Sequence, residues 1–121
     1  MSVEENLKKL GLMLPNVPTP VANYVPWKRD GNTIYLSGQG PRDKDGKHIT
    51  GTVGKDVTIE QAYRYAQLVG LNLLAAAKAA AGGSLEKVEV LKVLGMVNAV
   101  PGFGDQPKVI NGCSDLFVEV F

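Results

Sequence analysis

The chain has 121 residues, 45% of them hydrophobic and 21% charged, with a formal net charge of +1. That length suits one core of about 100–200 residues, so a single domain over 1–121 is expected and a disordered chain is not. The basic residues are scattered in pairs such as Lys8-Lys9 and Lys28-Arg29, which argues against a nucleic-acid footprint.

Cys113 is the one cysteine and His48 the one histidine, so an intrachain disulfide and a histidine-rich metal site are excluded. A Ser-His-Asp triad would have to use His48, which sits among polar residues beside a turn. The most apolar stretch, Leu68 to Ala81, is too short and alanine-rich to cross a bilayer. Ser2-Val3-Glu4-Glu5 is not the start of a signal peptide, so cytoplasmic residence is expected.

Ser2 to Leu10 reads as a short helix. Ser2 and Glu5 have capping-box spacing, and Val3, Leu7 and Leu10 share a face. Pro15, Pro18 and Pro20 then hold the chain extended. A first strand is expected near Tyr24 to Lys28, with Pro26 making it an edge strand or a bulge. Asp30-Gly31-Asn32 signals a turn before a second strand, Thr33 to Ser37. There Ile34 and Leu36 face one way, and Thr33, Tyr35 and Ser37 the other. Gly38-Gln39-Gly40-Pro41 breaks that strand, and Asp45-Gly46 marks a hairpin turn.

The longest helix is expected from about Ile59 to Ala81. Thr58 and Gln61 form its capping box and Gly82-Gly83 ends it. Its stripe of Ala62, Ala66, Val69, Leu73, Ala76 and Ala80 is small enough for close packing. Val88 to Val97 is expected as a strand buried on both faces. Pro107 suits the first turn of a last helix whose stripe is Val109, Cys113, Leu116, Phe117 and Val120.

Strand, strand, helix, strand, helix is an α/β order. A helix after the central strand should lead to another strand. The chain is therefore expected to be a fragment, lacking a loop and strand of at least about ten residues. Two helices can cover one face of such a sheet. The other apolar face of Val88–Val97 then implies assembly with other copies.

Tyr24-Val25, the run Ile34-Tyr35-Leu36-Ser37-Gly38-Gln39-Gly40-Pro41, the long helix and Val109-Ile110-Asn111 resemble the RidA/YjgF family. Ser37-Gly38-Gln39 is the most specific part. The resemblance runs from about Pro18 to Phe121, with 1–17 as an N-terminal extension. It implies a chorismate-mutase-like α/β fold, with a mixed sheet carrying two helices on one face. It also implies a homotrimer with small-molecule clefts between subunits. Members hydrolyse reactive enamines and imines to 2-oxo acids and ammonia without metal or organic cofactor, and many carry the label L-PSP endoribonuclease.

Carried over by position, the resemblance makes Tyr24 a cleft wall, Ser37 and Gly38 ligand contacts, and Asn111 a residue near the cleft. The family's arginine, which binds the substrate carboxylate, and a water-positioning glutamate are expected beyond Phe121. Arg29, Arg42 and Arg64 do not occupy that place. A chain ending at Phe121 is accordingly expected to have little imine-hydrolysing activity.

Each residue also has a plain structural reading. Ser37 can cap its strand end, Tyr24 can pack in a core, and Asn111 can sit on a helix surface. Gly38 and Gly40 can simply turn the chain. Arg42 reads as a solvated hairpin charge and Cys113 as core. Two other functions stand beside deamination. One is a non-catalytic metabolite-binding trimer. The other is a ribonuclease, for which the sequence offers neither a basic stripe nor a histidine pair.

Overall fold

A computed structural model describes residues 2–17 and 22–121. The elements are α1 (Val3–Lys9), β1 (Trp27–Asp30), β2 (Thr33–Leu36), α2 (Ile59–Ala80) and α3 (Gln106–Val120). Pro18 and Pro20, expected to hold the chain extended, lie outside the described residues. The chain divides into two compact units. The first takes the described residues up to Gln39, with Leu71–Glu89 and Val120–Phe121; the second takes Gly40–Gly70 and Val90–Glu119.

In the first unit the Ser2 hydroxyl caps α1, accepting from the Glu5 amide at 3.1 Å. Val3 and Leu7 are buried, as their spacing requires. Leu10 is not. It is the C-cap residue, past the last helical turn, and 43% exposed. Two side chains hold α1 in place. Glu4 accepts the Leu85 amide at 2.9 Å, and Asn6 donates to the Val120 carbonyl at 2.9 Å. Around them Leu74, Ala76, Leu85 and Val120 are almost wholly buried. Each large aliphatic side chain so buried contributes about 1.5–3 kcal/mol.

The sheet of this unit is a single antiparallel hairpin. Trp27 pairs with Leu36 and Asp30 with Thr33, leaving Gly31-Asn32 as a two-residue loop. Gly31 has φ +59, the left-handed backbone that a tight hairpin asks of its first loop residue. The ladder starts at Trp27, not at Tyr24. Pro26 has no N–H to give, so it stands before the strand and only accepts, from the Ser37 amide at 3.0 Å.

Helix α2 starts where its capping box predicts. The Thr58 amide donates to Gln61 Oε1 at 2.9 Å, and the Gln61 amide donates to Thr58 Oγ1 at 3.1 Å. It closes on a Schellman pair: Gly83 donates to Lys78 and Gly82 to Ala79, with φ +106 and +83 at the two glycines.

In the second unit Val53, Ala62 and Val109 form a small buried cluster, packed by Val57, Ile59, Val97, Ala99 and Phe103. The Asp45-Gly46 hairpin forms as expected. Arg42 bridges His48, Asp43 donates to Lys47 at 2.9 Å, and Gly46 donates to Asp43 at 3.0 Å. On α3, Val109, Cys113 and Leu116 are buried.

One expectation fails here. Residues 88–97 form no strand among the described residues. Leu91 and Leu94 are each 79% exposed and Met96 is 86% exposed, so this segment is not buried on both faces. At its start the Val88 amide donates to the Leu85 carbonyl at 3.1 Å, and just past its end Val53 pairs in parallel with Ala99. Alternating apolar residues report a surface suited to burial, but a strand also needs a neighbour to complete its ladder. The sheet is accordingly two-stranded, and the mixed sheet is not formed among the described residues.

Candidate functional site

Ser37 stands where β2 ends. Its amide donates to the Pro26 carbonyl at 3.0 Å, and its hydroxyl donates to the Val25 carbonyl at 2.5 Å. The two bonds pin the residue to the chain segment entering β1. With its one proton committed to Val25, the Ser37 oxygen keeps its lone pairs as acceptors. Its plain role as a strand-end tie is therefore filled, through Val25.

Gly38 follows, exposed. Its φ is not in the left-handed region, and a Cβ built on it would meet nothing within 4 Å. Neither backbone conformation nor packing within this chain requires glycine there. Gly40 differs only slightly, since its Cβ would rest 3.6 Å from His48 Nδ1. Tyr24 is 46% exposed and its amide donates to the Ala22 carbonyl at 2.9 Å. The core reading of Tyr24 thus does not apply in this chain.

Tyr24, Ser37 and Gly38 all belong to the first unit, where Ser37 reaches the carbonyl of Val25, the residue after Tyr24. Asn111 is an exposed residue of α3 in the second unit. Arg42, also in the second unit, turns its Nη1 back to the Gly46 carbonyl at 3.1 Å. Its Nε is buried without a hydrogen-bond partner. The guanidinium thus fastens its own hairpin instead of lying free in solvent.

The first unit also contains a cleft of about 500 Å³, whose lining includes Ser2, Glu5, Glu86, Val88 and Phe121. Its charged lining residues are the carboxylates Glu5 and Glu86. A carboxylate-bearing ligand would be repelled there, so the cleft is a poor match to the substrate class that the resemblance implies.

The thiol of Cys113 is buried, and burial pushes it up to about 11. It is a packing residue and not a thiolate nucleophile. Among the described residues no three His, Cys, Asp or Glu side chains gather as a metal-binding group. No described helix is long and apolar enough to cross a membrane.

One polar pair escaped the sequence reading. Tyr63 donates its phenol proton to Asp115 Oδ2 at 2.7 Å. That bond holds the Tyr63 phenol above its ordinary range, with burial and the charges of Asp115 and Glu119 adding to the effect. Nothing local marks the pair, because its partners lie 52 residues apart.

Residues 4–121 match the family described as "YjgF/chorismate mutase-like, putative endoribonuclease", and the chain belongs to that family. It is 36% identical over 120 residues to Protein TCP17 of Trypanosoma cruzi, covering 98% of this chain and 74% of that protein. Among solved structures it is similar to the protein Atu1372 of Agrobacterium tumefaciens, titled as having unknown function. That likeness has a TM-score of 0.87 and 46% identity, over 98% of this chain and 73% of the other. A structure from Shewanella oneidensis titled "putative endoribonuclease" matches with a TM-score of 0.89 and 32% identity. It covers all of this chain and 80% of that one. These likenesses carry the α/β fold of the family.

Proposed function

We propose that this protein hydrolyses reactive enamines and imines to 2-oxo acids and ammonia, without a cofactor, at clefts between the subunits of a homotrimer. The observation that carries the reading is the trio Tyr24, Ser37 and Gly38 in a chain whose residues 4–121 match the family. An iminium carbon is already electrophilic, so catalysis needs mainly an oriented water and contacts to the nitrogen. Ser37, its proton given to Val25, offers an acceptor to an iminium N–H or to the water. Gly38 lets a ligand approach its backbone. Water adds to the carbon, the carbinolamine collapses, and ammonia leaves. Tyr24, Ser37 and Gly38 include no cation, so the substrate carboxylate is anchored from outside this trio, with Asn111 as a further polar contact from the neighbouring subunit.

The test is release of ammonia and 2-oxo acid while an amino-acid oxidase generates imines in situ. A rate above spontaneous hydrolysis, lowered by Ser37→Ala, supports the reading. A rate equal to the spontaneous one, at every concentration of a protein that also carries the carboxylate-binding arginine, defeats it.

A second reading rests on the same trio, which holds no group able to act as a base near neutral pH. On that reading the trimer binds a small carboxylate metabolite and does no chemistry. Saturable binding of 2-oxobutyrate without imine turnover would favour it. The ribonuclease reading draws on the description of the family and of its Shewanella oneidensis relative, and cleavage of a structured RNA by Ser37→Ala and parent protein alike would separate it from this site.

A further inference from the structure

We draw no further inference here: the strongest candidate, the exposed apolar segment Val90–Met96 of the second unit, already serves the proposed assembly, and nothing in the structure shows what covers it.

Discussion

Gly112 of α3 lies directly against the backbone carbonyl of Tyr63 on α2. A Cβ at Gly112 would sit inside the van der Waals shell of that oxygen and 3.0 Å from the Ala66 methyl. One turn further along α2, Gly70 answers it. A Cβ there would come within 2.9 Å of Leu116 and 3.3 Å of Cys113. The two helices thus meet through absent side chains, each glycine receiving the other helix's bulk.

Helix propensity alone favours alanine over glycine by about 1 kcal/mol. At Gly112 the clash should override it, because the obstructing atom is backbone and cannot rotate away. Gly112→Ala is expected to destabilise by about 1–3 kcal/mol. Thermal unfolding should show it as a fall in Tm of roughly 5–15 °C. An unchanged or higher Tm would mean that the helices can separate without loss.

Gly38 supplies the contrast. A Cβ there meets nothing within 4 Å, so Gly38→Ala should leave stability within about 0.5 kcal/mol of the parent. If a ligand approaches that backbone, the same methyl should lower imine turnover by tenfold or more. Tm and ammonia release measured on one preparation separate the effects. Full activity in Gly38→Ala would remove Gly38 from the site.

Thr58→Ala should cost about 1 kcal/mol, the usual value of an N-cap hydroxyl. Gln61→Ala removes the return bond to the Thr58 amide and should cost less. The double variant should fall short of the sum, since each partner's bond supports the other. Chemical denaturation of the four proteins measures this directly.

The Tyr63–Asp115 bond has a pH signature. The phenol is held protonated by the fold, so its folded value lies above that of the unfolded chain. Its contribution is whole below the ordinary phenol range and disappears as pH rises through the raised value. Tyr63→Phe should therefore weaken the alkaline decline of stability. In Asp115→Asn, tyrosinate absorbance should appear at lower pH than in the parent.

Leu91, Leu94 and Met96 bear on assembly. In a trimer that buries this segment, sedimentation at micromolar concentration should give three chains per particle. Leu91→Lys with Leu94→Lys should shift the protein to smaller species. A parent protein that stays monomeric would remove the interface.

The helices were legible because their information is local. Thr58 and Gln61 announce a start, Gly82-Gly83 an end, and the alanine stripe a packing face. Ser37-Gly38-Gln39 was legible as a family signature, but Ser37's bond to Val25 was not, since twelve residues separate them and hairpin register decides which carbonyl is reached. The start of the first strand was placed a few residues early, at Tyr24 instead of Trp27, because propensity does not fix where a ladder begins. The 88–97 segment failed for a deeper reason. Its alternation is real, but ladder formation belongs to a pair of segments, and no single stretch of sequence names its partner.

The hydrogen bond from Asn6 to the Val120 carbonyl joins residues 114 positions apart. A ribosome adding about 5–20 residues per second needs roughly 6–23 s to travel between them. Throughout that interval α1 is made but lacks the second of its two ties. Seven residues are too few to hold a helix in water unaided. Val3 and Leu7 therefore face solvent on the nascent chain until the rest of their unit, Leu71–Glu89 and Val120–Phe121, has emerged, a window in which a chaperone or a neighbouring nascent chain can reach them first.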